Sequence, residues 1–254
     1  MIKVLVNGAL GRMGRTVVAA VKADSELELV GAADIFSGEV DGVKVETDLA
    51  AALEKFKPEV MVDFTRPDAV FANVMTALSK KVSPVVGTTG LSAEDLEKIR
   101  AAAEENSTPA FVAPNFALGA VLMMLMAQKV AKYMPEVEII ELHHDKKLDA
   151  PSGTAELTAK MISEVRAAHR QGHPDEKERL AHVRGADYDG IRIHSVRLPG
   201  YVAHQEVIFG GLGQTLTIRH DSTGRDSFMP GVILACKKVR ALTGLTVGLD
   251  KILD

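Results

Sequence analysis

The chain has 254 residues, 46% hydrophobic and 4% aromatic, enough for one or two domains with cores built mainly of Ala, Val, Leu, Ile and Met. Its 30 basic and 34 acidic side chains leave a net charge of −4, which offers no global field for nucleic acid. The longest apolar run, Phe116 to Ala127, is too short for a bilayer span of about 20 residues, the N-terminus has no signal-peptide layout, and the single Cys236 forms no intrachain disulfide, so a soluble cytoplasmic protein is expected, with no nucleic-acid or membrane partner.

Lys3 to Asn7 is almost wholly apolar, as a strand covered on both faces would be. Gly8-Ala9-Leu10-Gly11-Arg12-Met13-Gly14 follows, then helical spacing from Arg15 to Ala23. Strand, glycine turn and helix form the context in which a pyrophosphate meets backbone N–H groups at a helix N-terminus. The spacing Gly-x-x-Gly-x-x-Gly is a variant of the usual fingerprint, and a purely structural βα turn is the competing reading. A second strand, Leu27 to Ala33, ends in Asp34, 20 residues beyond Gly14, where a dinucleotide fold places the acid that holds the adenine ribose hydroxyls. An acid there disfavours the 2′-phosphate of NADP, and Ile35 and Phe36 stand where an arginine would have welcomed it. The bland reading of Asp34 is a solvated acid at a strand end.

The alternation continues: a helix over Asp48 to Lys55, a strand over Val60 to Phe64 closed by Thr65-Arg66-Pro67, a helix over Asp68 to Ser79, a strand from Pro84 running into Gly87-Thr88-Thr89-Gly90, a helix over Ser92 to Glu105 with Ser92 and Asp95 as a capping box, and a strand over Ala110 to Ala113 closed by Pro114-Asn115-Phe116. This predicts an α/β fold, a doubly wound parallel sheet of Rossmann type, with the ends at Gly8, Thr65, Gly87 and Pro114 on the ligand-binding carboxyl edge.

A Met- and Leu-rich core helix is expected from Gly119 to Lys132, and then the pattern changes. Strands are predicted at Val137 to Ile140, Ile191 to Leu198, His204 to Phe209 and Gln214 to His220, with a helix over Glu156 to Ala168, a loop over His169 to Ala181 and a hairpin connection at Gly210 to Gly213. These describe an inserted α+β domain of mostly antiparallel strands. The helix over Ser227 to Leu242 is expected to return to the first domain, giving 1–116, 117–226 and 227–254 as the dinucleotide-binding domain, the insertion and the returning segment.

Glu141 to Ala155 crowds His143, His144, Lys146 and Lys147 beside Pro151-Ser152-Gly153-Thr154 and a following helix. Like charges repel unless an anion visits, and a helix N-terminus with an adjacent glycine offers N–H donors to one. No cysteine or acid cluster at metal spacing accompanies the histidines, so no metal is expected. Asp149 reads as a turn or capping residue, Lys146 as solvated, His204 and His220 as structural, and Arg225 as a residue joining the domains.

Together with Gly8 to Gly14, Gly87-Thr88-Thr89-Gly90 and Ala113-Pro114-Asn115-Phe116, the block Glu141-Leu-His143-His144-x-x-Lys147-x-Asp149-Ala-Pro-Ser-Gly-Thr154 resembles the 4-hydroxy-tetrahydrodipicolinate reductases. The resemblance runs end to end, through Val202-Ala203-His204-Gln205-Glu206-Val207 and Ile218-Arg219-His220-Asp221-Ser222. It implies an NAD(P)H-dependent reductase of a cyclic imine dicarboxylate in the diaminopimelate route to lysine, and a homotetramer joined through the β-rich domain. It places phosphate contacts on Gly8, Ala9, Leu10, Gly11, Arg12 and Met13, the ribose acid on Asp34, and nicotinamide-side contacts on Gly87, Thr88, Thr89, Ala113, Pro114, Asn115 and Phe116. It places catalysis on His143 and Lys147, and the dicarboxylate on His144, Gly153 and Thr154. Where many members carry a third histidine before the lysine, this chain has Lys146, which keeps the cation count. NADH is expected to serve at least as well as NADPH, and which of His143 and Lys147 gives the proton stays open. Closure of the two domains about Phe116 and Arg225 is expected, because cofactor and dianion come from different domains. The rival readings are another two-domain dehydrogenase and a dinucleotide sensor without turnover.

Overall fold

The backbone settles into alternating strands and helices in the first half, and a computed structural model describes residues 1–253. The first half holds β1 (Ile2–Asn7), α1 (Arg12–Ala23), β2 (Leu27–Ala33), β3 (Gly38–Val40), β4 (Val43–Glu46), α2 (Leu49–Phe56), β5 (Val60–Asp63), α3 (Val70–Ser79), β6 (Ser83–Val86), α4 (Ala93–Glu105) and β7 (Ala110–Val112). Next come α5 (Leu118–Ala131), β8 (Glu136–His143), α6 (Gly153–Ser163), β9 (Ala186–Tyr188), β10 (Ile191–Arg197), β11 (Ala203–Gly211) and β12 (Gln214–Ser222), and finally α7 (Met229–Lys238) and β13 (Leu245–Val247). The chain divides into two compact units, Met1–Leu118 with the segment beginning at Arg225, and Gly119–Gly224.

In the first unit eight strands lie in the order β13-β7-β6-β5-β1-β2-β4-β3. All pairs are parallel except β3 with β4. Strands β1, β5 and β6 are covered on both faces, which is why they read as unbroken apolar runs. Helix α3 neighbours both α2 and α4, while α1 and α7 pair. Val70, Val74, Leu78, Ile99, Val86 and Leu245 form one core cluster, and Leu5, Leu53, Met61 and Val82 belong to another. Buried Cys236 sits on α7, where burial pushes its thiol up to about 12.

The second unit is built on a five-stranded sheet, β12-β11-β8-β10-β9, antiparallel except for β8 with β10. The α/β fold with a mostly parallel sheet and a separate, mostly antiparallel one is therefore as the sequence patterns predict. Alternation along β8 buries Val137, Ile139 and Glu141, a register that places an acid in an otherwise apolar row.

Several boundaries differ from the sequence reading. The β3–β4 hairpin went unpredicted, although Asp41 (φ 51°) and Gly42 (φ 79°) at its turn carry its local signal. Strands β9 and β13, three residues each, are too short to show a period. Helix α6 starts at Gly153, not Glu156, because Ser152 accepts the Ala155 N–H and caps it. It stops at Ser163, not Ala168; beyond it the Arg166 guanidinium is drawn inward to the carbonyls of Pro135, His169 and Asp189. The single helix expected over Ser227 to Leu242 is α7 flanked by 3-10 turns at Arg225–Phe228 and Val239–Ala241.

Two glycines separate packing from openness. A Cβ on Gly14 would stand 2.0 Å from the Gly8 carbonyl oxygen, whereas one on Gly153 would meet nothing within 4 Å. Gly14→Ala is expected to destabilise the fold by more than about 2 kcal/mol, and Gly153→Ala to leave stability within about 0.5 kcal/mol, both read from chemical denaturation.

Candidate active site

At the carboxyl edge of the first sheet, Asn7, Asp63 and Val86 end three neighbouring strands in register. The glycine turn is pinned by Gly8 and Ala9, whose N–H groups donate to the Ala33 carbonyl at 2.9 and 3.0 Å. Gly8 has φ +78°, and a Cβ there would lie 2.3 Å from the Phe64 carbonyl oxygen, so the position admits glycine alone. Helix α1 begins behind Gly11 with no side-chain cap and no acid in its first turn, leaving N–H groups for an anion.

A cavity of about 650 Å³ opens here. Of the expected cofactor residues, Gly8, Leu10, Gly11 and Asp34 line it, joined by Asn7, Ile35, Phe36, Phe64, Thr65, Arg66 and Asn73. Asp34 is held against the turn, accepting from the Leu10 N–H at 3.0 Å and the Phe36 N–H at 3.2 Å. A cradle that a Cβ would fill, an open helix N-terminus and an acid across the cavity fit a dinucleotide.

The other expected cofactor positions lie outside the cavity lining. Arg12 is exposed and Met13 half-buried. Ala9, Ala113 and Phe116 are buried, the Phe116 ring 6.0 Å from both Phe64 and Phe111. Pro114 is exposed, and Asn115 accepts from the Ala117 N–H at 2.8 Å. Gly87 is half-buried and Thr89 exposed, while Thr88 is buried, donating its hydroxyl to Asp63 Oδ1 at 2.7 Å. The sequence reading placed Thr65 on this edge but gave it no role, and it missed Asp63 and Asn73. The available signal was an acid closing the apolar run Val60-Met61-Val62.

In the second unit, His143 is the last residue of β8, with Nδ1 2.5 Å from Glu141 Oε2. Glu141 is wholly buried. Arg197, on the neighbouring β10, donates to it from Nη2 and Nη1 at 2.6 and 2.8 Å, and the Ser152 N–H reaches its Oε1 at 3.2 Å. Burial pushes the Glu141 carboxyl up, but the hydrogen bonds from His143, Arg197 and Ser195 outweigh it and bring it down to about 2. An ionised acceptor assigns the proton of His143 to Nδ1 and leaves Nε2 for chemistry. Lys147 is mostly buried and grips both oxygens of Asp149 at 2.8 Å, which holds the Asp149 carboxyl below the usual range. Asp149 is thus the lysine's partner rather than a helix cap; Ser152 is the cap. His144 and Lys146 are exposed. Gly153 and Thr154 open α6 at its positive end, and the Ser152 N–H just before them ties that end to the Glu141 carboxylate that holds His143. The sequence reading quoted Glu141 in the block without giving it a role, and Arg197 escaped it. Among the described residues no cluster suits a metal.

The Glu141 carboxyl is lowered on folding, so its stabilisation is complete above its unfolded value near 4.5 and is lost as pH falls from there through about 2. Arg197→Met is expected to cost about 3–5 kcal/mol at neutral pH by stranding a buried anion, and Glu141→Gln added to it to recover part of that loss. Denaturation of the two variants between neutral pH and the acid range checks both, since the Arg197→Met deficit should shrink below about pH 4.5.

Comparison with known proteins covers the whole chain. The family model described as dihydrodipicolinate reductase, N-terminus, matches residues 2–116, and that for the C-terminus matches residues 119–253. The 4-hydroxy-tetrahydrodipicolinate reductase of Geobacillus kaustophilus is 54% identical over 263 residues, covering 100% of this chain and 99% of the relative. That of Desulfitobacterium hafniense is 51% identical over 264 residues, with the same coverage. A solved dipicolinate-bound dihydrodipicolinate reductase from Paenisporosarcina sp. TG-14 superposes with TM-score 0.93 at 48% identity over the full length of both chains. An amine dehydrogenase from Mycobacterium smegmatis, at 14% identity and TM-score 0.68 over 100% of this chain and 96% of that one, shares the fold alone. With both halves matched and full-length relatives above 50% identity, the chain belongs to the dihydrodipicolinate reductase family.

Proposed function

We propose that this chain reduces 4-hydroxy-tetrahydrodipicolinate to tetrahydrodipicolinate with NADH or NADPH and releases water, a step of the diaminopimelate route to lysine. The observation that carries the reading is the His143–Glu141 pair, whose carboxylate also takes the N–H of the α6 cap Ser152, with the Lys147–Asp149 pair on the intervening turn. A dianionic ring needs cations and N–H donors at its carboxylates and a proton donor at its edge, and this turn offers both.

The roles divide by chemistry. Gly153 and Thr154 give backbone donors at the positive end of α6, and His144 adds an exposed imidazole, together holding the carboxylates. Lys147 is engaged by Asp149, and a substrate carboxylate competes for the same ammonium. His143, oriented through Nδ1 by Glu141, exchanges protons at Nε2. The balance is one hydride and one proton in, one water out; His143 and Lys147 are the groups that handle the proton. The reduced nicotinamide, when bound, supplies the hydride. Its phosphates are assigned to Gly8 through Met13, its ribose to Asp34, and the nicotinamide side to Gly87, Thr88, Thr89 and Ala113 through Phe116. Asp34 beside apolar, exposed Ile35 and Phe36 supports NADH serving at least as well as NADPH. We also assign the first unit to cofactor binding and the second to the dicarboxylate and to assembly into a homotetramer, because β12 is exposed over most of its length. A lone, buried, unpaired Cys236 suits a reducing cytoplasm.

Purified protein supplied with freshly generated substrate is expected to consume NADH, with kcat/KM no lower than for NADPH. Absence of consumption overturns the reading, and a strong NADPH preference overturns the role of Asp34. Lys147→Ala is expected to lower kcat by about 100-fold or more, and Thr154→Ala mainly to raise KM. Equal small effects in steady-state kinetics would mean that the site lies elsewhere.

A further inference from the structure

Asp63 ends β5 between β1 and β6 and is wholly buried. Five donors meet its carboxylate. Oδ2 accepts from Asn7 Nδ2 and Asn73 Nδ2, each at 2.9 Å. Oδ1 accepts from the Thr65 N–H at 3.2 Å, the Thr65 hydroxyl at 2.8 Å and the Thr88 hydroxyl at 2.7 Å. None of the five carries charge. The cation nearest in sequence, Arg66, binds Asp68 instead at 2.8 Å. Buried Glu141, by contrast, is matched by Arg197.

The donors hold the carboxylate but leave its charge uncancelled. Asn7, Thr65 and Asn73 also line the cavity, so the anion lies one side chain beneath the cavity wall. It belongs to the half of the sheet beyond β1, away from Asp34 and β2. In a doubly wound sheet, a dinucleotide whose adenosine lies over β2 extends its other half across the switch point to that side. Charge in such an interior is weakly screened and acts over several ångströms.

From this we infer that Asp63 biases the nucleotide site toward the oxidised, cationic nicotinamide over the reduced, neutral one. The inference rests on the dinucleotide reading of the cavity. When the dihydronicotinamide gives its C4 hydride to the substrate carbon, both electrons of the broken C–H bond leave with it and the ring becomes a pyridinium cation. Asp63 stabilises that developing charge from beneath the wall without touching the reacting atoms. It is a positioning and electrostatic residue, and no further reductant is involved.

An acceptor cage of purely structural purpose would also require a carboxylate here, since asparagine would turn an NH₂ group toward donors. The two roles separate in the ratio of affinities, because a structural defect weakens both cofactor forms alike. Isothermal titration of the full chain with NAD+ and with NADH measures it. Asp63→Asn is expected to weaken NAD+ roughly tenfold more than NADH. Asn73→Leu, which keeps the anion and removes one neutral donor, is expected to move the ratio about twofold or more the other way. If Asp63→Asn does not fold by circular dichroism, Asn73→Leu decides alone. An unchanged ratio with both forms still bound overturns the role of Asp63 and leaves the nucleotide reading standing. Failure of the unaltered protein to bind either form overturns both.

Discussion

A single buried carboxylate, Glu141, ties the second unit's site together. It faces inward on β8, receives the Arg197 guanidinium from β10, orients His143 two residues along its own strand, and reaches the N–H of the residue that caps α6. Removing an anion from water is costly unless charge and hydrogen bonds replace the solvent. Here both do, and each replacement fixes a separate element. The parallel β8–β10 pairing, which breaks the antiparallel rule of this sheet, is what brings Arg197 opposite His143 in register. The anion turn is then registered to the strand: Arg197 also donates to the Asp149 carbonyl at 2.8 Å.

The first unit solves a related problem with different parts. Its nucleotide cavity owes its shape to backbone constraints, with Gly8 and Gly14 allowing the turn to close against Phe64 and against itself. Asp63 joins the ends of three strands beneath that cavity through neutral donors. The two buried acids therefore contrast: Glu141 is discharged by a guanidinium, and Asp63 is held but not discharged.

Legibility in the sequence followed the distance between partners. The glycine turn and Asp34 could be read because turn geometry and helix start are local properties of consecutive residues. The strands of the parallel sheet could be read because burial on both faces leaves an apolar run. His143, Lys147, Gly153 and Thr154 stood out as candidates because they crowd into one short stretch. Arg197 could not, since it lies 56 positions from Glu141 and meets it only through strand pairing. Thr88 and Asp63 are 25 positions apart, and nothing local in either stretch pairs them. The start of α6 was misplaced because Ala155 stands where a capping box would place an acid or amide, so Ser152 gave no reciprocal signal.

The ends of the two sheets differ in a way that bears on how copies of the chain can meet. The eight-stranded sheet finishes on three-residue strands at both margins, β3 and β13, and β3 runs against its neighbour. So short a margin presents few unpaired N–H and C=O groups, and a foreign strand finds little to extend. The five-stranded sheet finishes at one margin on nine-residue β12. Arg219 there is engaged with Asp221 on the same strand and with Glu206 on β11, so charge interrupts that longer margin. One sheet thus offers a foreign strand little backbone at either margin, while the other keeps in β12 a long margin whose side chains are engaged in charge pairs.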